Sequence, residues 1–436
     1  MKHENYSLGY DLLRIHARLL HHLIHRRVTI VGLKNIPKNT PIIFALNHQN
    51  ALMDAMALLL SSPHQPTWLS RADMFKNKFV SRILYFLKMS PVYRIRDGKD
   101  NLGKNDEVFE LSIRVLKNNK SLAIFPEAQH TFKRQSAAHK KAVPRIAFMA
   151  EERENFELGI NIVPIGLYYD YYYKWNRELL VTFGEPIKTS DYKTLYQENP
   201  GAAAITLRND IYAKLVPLTI HIKSKTHYED YEILREIYRN ENLKKLPTET
   251  KVENEKIFIS KVEKWESENQ EQADELFSQT ATYRQSLKKQ NLDDRAFSGK
   301  PSLIKNIAFG FLAGFALPLF LYGWLNFFLG FYLPSMLVRK KIKDKVFWAT
   351  VEYVLWIILI PLFSLIQWGL VWILNGDFLV SLIYFFTLPL FGKIALNLND
   401  FYVRFRQEIK VMTGGRKIVD IKNLRKLIVT FIGNIV

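Results

Sequence analysis

Phe44-Ala-Leu-Asn-His-Gln-Asn-Ala-Leu-Met-Asp54 joins two kinds of chain. A β-rich run, 42–46, ends in it, and a run with helical spacing, 51–60, begins in it. A strand that feeds a helix through a short polar loop is the building unit of an α/β domain. His48 and Asp54 lie six positions apart. On one continuous helix that separation turns them about 240° from each other, off any shared face. They meet only if His48 sits on the loop and folds back onto the helix, with Asn50 as the cap. A carboxylate held against an imidazole fixes its tautomer and leaves the other ring nitrogen to take a proton from a hydroxyl. The other reading is an ordinary strand-end His beside a first-turn Asp.

The alternation continues outward. Segments 28–31, 92–95, 122–125, 162–167 and 180–183 read as strands, and 79–88, 106–118 and 145–154 as helices. The expected fold class is α/β, a mixed, mostly parallel sheet flanked by helices over 28–218. Residues 1–27 read as an amphipathic helix with Leu8, Leu12 and Leu19 on one face and Arg14 and Arg18 beside it, able to lie on a membrane or pack on the domain. Residues 219–300 read as a charged helical insert without chemistry of its own. A C-terminal helical membrane region over 301–410 and a basic tail over 411–436 follow.

Three apolar, aromatic-rich stretches make up the membrane region: 307–338, 346–374 and 378–398. The last two are long enough to cross a core of about 30 Å. Pro318, Gly323 and Pro334 permit a broken, re-entrant course for the first. That course keeps the basic flank 339–345 and the basic C-terminus on the cytoplasmic face; three full spans would place both opposite the catalytic domain. Glu352 and Lys393 read as residues near the interface or as an intramembrane functional pair.

The chain has 436 residues, with 61 Lys and Arg against 42 Asp and Glu, a formal charge of +19. That excess seeks an anion: a lipid surface, a phosphorylated substrate or nucleic acid. No zinc-finger or RNA-binding signature is present, so nucleic acid is not an expected partner. With no cysteine, disulfides, a Cys nucleophile, thiolate zinc sites and Cys-ligated iron–sulfur clusters are excluded. His16, His21, His22 and His25 include a helical pair without an acidic third ligand, and no metal is expected.

Three further segments carry chemistry. Arg94 and Arg96 fall on one side of an extended run, where a guanidinium pair suits a phosphate, or they face solvent on an edge strand. Leu122-Ala-Ile-Phe-Pro-Glu127 ends a buried strand in a carboxylate, at the end of the sheet where ligands bind in open α/β folds. The basic run after it includes Lys133, Arg134, His139, Lys140, Lys141 and Arg145, which reads as a phosphate site or as solvated surface. Ile162-Val-Pro-Ile-Gly166 reads as a wall for an apolar chain or as core.

In this order the four segments resemble the four blocks of the glycerophospholipid acyltransferase family, over about residues 32–186. The family's first block is His-x4-Asp and its third Phe-Pro-Glu-Gly. Here five residues separate His48 from Asp54, Ala128 replaces the Gly, and Gln129 and His130 stand where an Arg is usual. The longer spacing and the polar residues after Phe-Pro-Glu are similar to the fungal glycerol-3-phosphate and dihydroxyacetone-phosphate acyltransferases, which also carry C-terminal membrane segments. The resemblance implies a membrane-bound O-acyltransferase of phospholipid biosynthesis, its catalytic domain on the cytoplasmic face of a membrane with anionic lipids. It implies an acyl thioester, acyl-CoA or acyl-carrier protein, as co-substrate with no other cofactor, and glycerol-3-phosphate as favoured acceptor. The alternatives are 1-acylglycerol-3-phosphate, another lysolipid or transacylation, and, further off, a non-enzymatic membrane-binding protein. By the same resemblance His48 is the base and Asp54 orients it. Arg94 and Arg96 hold the acceptor's phosphate, Glu127 its hydroxyls, and Pro164 lines the acyl site. Lys140 or Lys141 supplies the charge of the missing Arg.

Overall fold

The computed structural model describes residues 5–93, 103, 105–299 and 303–435. Helix α1 (Leu8–Ile24), capped by the Ser7 side chain, runs directly into β1 (His25–Val31). Then come β2 (Ile42–Leu46), α2 (Leu52–Ser61), β3 (Thr67–Arg71), α3 (Lys78–Phe86), β4 (Met89–Val92), α4 (Asn105–Lys117), β5 (Ser121–Ile124) and α5 (Ala142–Arg153). The long β6 (Asn161–Tyr169) turns back into β7 (Arg177–Phe183), and β8 (Ile187–Lys188), α6 (Lys193–Glu198) and α7 (Pro200–Leu215) complete the layer. The sheet order is β1-β7-β6-β2-β5-β3-β4, with β8 on β6. Only the β6–β7 and β6–β8 pairs are antiparallel, so the sheet is mixed and mostly parallel. The strand expected at 92–95 lies earlier, at β4. β3 and β8 were not anticipated.

Strand β2 sits between β5 and β6, in register Phe44↔Ala123 and Phe44↔Val163. All five of its side chains are buried, the full apolar reading of a strand covered on both faces. Phe44 and Leu46 point into a core with α2 and Trp68, while Ile43 and Ala45 point into a second core with α4, α5 and α7.

The insert holds α8 (Tyr228–Tyr238), α9 (Thr248–Glu268) and α10 (Gln270–Gln290). The helical pattern over 252–287 is broken at Asn269, where the backbone leaves helical geometry between α9 and α10. Helix α11 (Leu303–Phe327) is followed by a π-type turn at Phe328–Tyr332, then α12 (Leu333–Lys341), α13 (Trp348–Asn375), α14 (Phe378–Thr413) and α15 (Arg416–Ile435). The tail is therefore helical, and it returns to the insert. Ile418, Ile421, Ile428 and Ile432 share a core with α8, α9, α10 and the outer sheet residues Tyr168 and Leu180.

Three stretches are helices long and apolar enough to cross a membrane: Ile307–Lys341, Lys345–Asn375 and Phe378–Thr413. α13 and α14 form a hairpin whose ring contacts, such as Trp372 with Phe378, close it near an exposed tip at 375–377. Phe331 stacks on Trp356 at 4.0 Å, seating the π-type turn against α13. Pro334 lies in the first turn of α12, where its missing N–H costs nothing. The bundle does not stand apart from the domain. Phe327, Phe331, Trp356 and Leu388 belong to the same core as Phe44 and Leu46.

Arg425 on α15 is largely buried and binds Asp294 through Nε at 2.7 Å and Glu241 through Nη1 at 2.7 Å. Removing one partner of a buried ion pair strands the other charge, at about 3–5 kcal/mol. Arg425→Ala should lower the thermal unfolding midpoint of the detergent-solubilised protein by several degrees. An unchanged midpoint would mean that α15 contributes little to the insert.

Candidate active site

His48 lies on the loop after β2 and folds back, its Nδ1 3.0 Å from Asp54 Oδ2. Asp54 is in the first turn of α2 and fully buried. The same oxygen accepts the backbone N–H of Gln49 at 2.8 Å and of Asn50 at 2.6 Å. The expected Asn50 cap is not made. Ala51 occupies the cap position without a side-chain bond, and the end of the Asn50 amide faces Arg177 Nη1 at 2.9 Å, a donor that only its oxygen can meet. The loop closes tightly because Ala51 takes φ 46 and ψ −126, a conformation that costs a residue with a Cβ about 1–3 kcal/mol. Upstream, Asn47 pins the loop to β6: it donates to Leu167 O at 3.1 Å and accepts from Leu167 N–H at 2.7 Å.

Because β5 is the neighbour of β2, the residues after the two strands converge. Phe125 stacks on the His48 ring at 3.8 Å. Two positions on, Glu127 is buried, and no described side chain pairs with its carboxyl. Burial pushes its carboxyl up to about 8; the Asp54 charge adds to this, against the backbone N–H groups of Ala137 and His48. At neutral pH Glu127 holds a proton it can donate to a bound oxygen. Ala128, which stands where Gly is usual, has φ 55, the left-handed conformation in which a Gly carries no Cβ penalty. That position turns the chain so that Lys140 N–H closes the loop on Pro126 O at 2.8 Å.

The structure thus brings His48, Asp54 and Glu127 together. Lys140 and Lys141 are exposed ahead of α5, near Glu127 in the chain path through that Pro126 bond. Pro164 is not at the site: it pairs with Ala45 in mid-sheet, and its carbonyl accepts from Gly184 N–H. The alternation of β6 puts it on the sheet face opposite Val163 and Ile165, so core packing accounts for it. Arg94 and Arg96 lie outside the described residues. Of the basic run, Arg134 is committed elsewhere. It pairs with Glu232 of the insert at 3.0 Å and donates to the carbonyls of Tyr169 and Asp170.

Two residues passed over in the sequence belong here. His130 meets the His48 ring edge-on at 5.2 Å, and burial first, then His48, hold its pKa low. Arg71, at the end of β3, has its guanidinium paired with Asp73, and its charge reaches His130. A weak signal existed for His130, three residues beyond Glu127. There was none for Arg71, since β3 itself was not recognised. The chain between α12 and α13 borders the site, with Phe347 6.3 Å from His130 and Thr350 Oγ1 accepting Leu52 N–H at 3.4 Å.

An unoccupied neutral acid predicts a pH signature. The ordinary value for this carboxyl is 4.5 and its folded value is about 8. Its contribution to stability is therefore fully present below pH 4.5 and lost as pH rises through 8. Glu127→Gln keeps the shape without the titration. Its melting midpoint should match wild type near pH 5 and exceed it increasingly toward pH 9. A difference that does not change with pH would place the titration elsewhere.

Residues 27–168 match the family model described as Acyltransferase. Among solved structures, the 1-acyl-sn-glycerophosphate (LPA) acyltransferase PlsC from Thermotoga maritima is similar at 17% identity and a TM-score of 0.33, covering 47% of this chain and 78% of that one. No curated protein matches the chain.

Proposed function

Residues 27–168 form a domain of the acyltransferase family, and on that premise we propose that the protein moves a fatty acyl group from an acyl thioester to a hydroxyl of a glycerophosphate. The observation that carries this reading is the His48–Asp54 pair beside a buried carboxyl that no described side chain pairs with. Asp54 holds the proton on Nδ1, so Nε2 is the nitrogen that takes the acceptor's hydroxyl proton. The oxygen then attacks the thioester carbonyl directly, and the thiolate leaves with a proton returned by the imidazolium. Glu127, neutral at physiological pH, donates to another acceptor oxygen and fixes which hydroxyl approaches His48. Arg94, Arg96 and Arg71 hold the phosphate, with Lys140 or Lys141 closing its open side. No metal or redox group is needed for these steps.

The favoured acceptor is glycerol-3-phosphate, on the strength of the five-residue spacing from His48 to Asp54. The Phe347–His130 contact favours a second reading, 1-acylglycerol-3-phosphate, because it sets the site at the foot of the membrane helices, where a lipid acceptor arrives laterally. We further propose that the catalytic domain faces the cytoplasm. The basic segment 339–345 touches the domain, Arg339 and Trp175 both binding Glu352 of α13, at 2.8 and 2.6 Å. The opposite end of the α13–α14 hairpin carries no basic residue.

Membranes holding wild type or His48→Ala, given acyl-CoA or acyl-carrier protein and each acceptor in turn, test the reading. Monoacyl product from glycerol-3-phosphate should fall by about 10²–10⁴-fold in the variant. Phosphatidic acid formed only from the monoacyl acceptor would select the second reading, and turnover unaffected by His48→Ala would remove the base.

A further inference from the structure

A cleft of about 330 Å³ opens at the outer side of the sheet, away from His48. Its walls come from the start of β1, the β6–β7 turn, the link between α8 and α9, the approach to α11, and α14. Eight of its fourteen lining residues are Lys or Arg and two are acids, a formal excess of six positive charges (8 − 2). Five of the eight meet acids in or just behind the walls: Arg26 with Asp170 and Glu178, Lys251 with Glu178, Arg239 with Glu255, Arg295 with Asp293 and Asp400, and Arg404 with Glu408.

The two lining acids are fully engaged in its floor. Glu178 accepts from Arg26 at 3.0 Å, from Lys251 at 3.2 Å and from the Thr248 hydroxyl at 3.1 Å. Asp170 accepts the backbone N–H groups of Tyr171 and Glu178, at 2.9 and 2.8 Å. The Tyr171 ring is faced by Arg239 at 5.0 Å and Arg295 at 5.2 Å. Arg27 and Lys245, both exposed on the cleft wall, have no acidic partner among the described residues. Four separate stretches of chain supply these cations, so they are not one solvated helix face.

The cleft also has a defined place relative to the membrane. Arg404 lines it from the part of α14 that follows the apolar residues, and Arg295 approaches Asp400 of the same helix at 3.7 Å. With α14 spanning a bilayer, the end of its apolar run is where lipid phosphates would meet water.

We propose that this cleft is a second, non-catalytic site for a phosphate-bearing ligand, with Arg27 and Lys245 as its open contacts. Phosphate chemistry fits better than carboxylate: several converging guanidinium and ammonium groups match an anion with three or more acceptor oxygens and up to two charges. Two sources present that chemistry, the headgroup of an anionic phospholipid and a soluble phosphate ester such as the nucleotide end of a CoA thioester. This site is separate from His48, so its occupancy does not depend on the proposed reaction.

The test uses the full-length protein in nanodiscs, with wild type, His48→Ala, the double variant Arg27→Ala/Lys245→Ala, and the charge-keeping Arg27→Lys/Lys245→Arg. One arm titrates adenosine 3′,5′-bisphosphate into phosphatidylcholine discs and follows binding by calorimetry. The other reconstitutes the protein with phosphatidylglycerol and measures lipid retained by native mass spectrometry. Wild type and His48→Ala should bind in at least one arm. Binding should weaken with salt, fall about tenfold or more in the Ala double variant, and be largely kept by the charge-keeping pair. Saturable binding in the first arm identifies a soluble phosphate ester, and retention in the second alone identifies a lipid headgroup. Binding in neither arm, or binding that the Ala double variant leaves unchanged while its melting midpoint equals wild type, overturns the proposal.

Discussion

One carboxylate oxygen organises the catalytic end of this protein. Asp54 Oδ2 gathers a ring nitrogen and two backbone N–H groups, and so sets both the tautomer of His48 and the path of the loop that carries it. Its place at the start of α2 adds the favourable end of the helix dipole to a charge that burial would otherwise penalise. The Tyr169 phenol is also buried beside it, and burial first and Asp54 next raise its pKa well above the ordinary value. Around this oxygen the supporting contacts are all to backbone or to buried groups: Asn47 on Leu167, Asn50 on Arg177, and Gln49 accepting the Tyr172 hydroxyl at 2.6 Å. The strain at Ala51 persists because these contacts over-determine the loop.

The membrane bundle is the other half of the same construction. Trp175, on the turn that also presents Arg177, binds Glu352 and packs against Trp356 at 4.5 Å. Lys393 of α14 donates to the carbonyls of Leu23 and His25, where α1 becomes β1. Glu352 and Lys393 therefore tie the helices to the catalytic domain and do not form a pair with each other.

How far the sequence reveals this depends on the range of the forces involved. β2 is legible to the residue because each position is apolar and its neighbours are polar. The His48–Asp54 contact is legible from helical geometry alone. The cap on Asn50 is not, since its partner Arg177 lies on another strand. Pro164 reads equally as core or as wall until the neighbours of β6 are known. β3 is short and carries Ser and Arg, so neither alternation nor an apolar run marks it. Arg134 looks like one member of a solvated basic run, and only the packing of the insert supplies Glu232. The return of α15 is hidden for the same reason, because its isoleucines have no visible partner along the chain. Ala128 shows the reverse case: the substitution is visible in sequence, and its left-handed backbone explains why Gly is usual there.

The central claim, that Asp54 fixes His48 as a base acting through Nε2, is open to direct observation. Nitrogen-15 NMR of the full-length protein with labelled histidine, assigned by comparison with His48→Ala, reports which ring nitrogen carries the proton. The account predicts the Nδ1–H tautomer for His48 in wild type and its loss in Asp54→Asn. An Nε2–H tautomer in wild type, or a spectrum unaltered by Asp54→Asn, would contradict it.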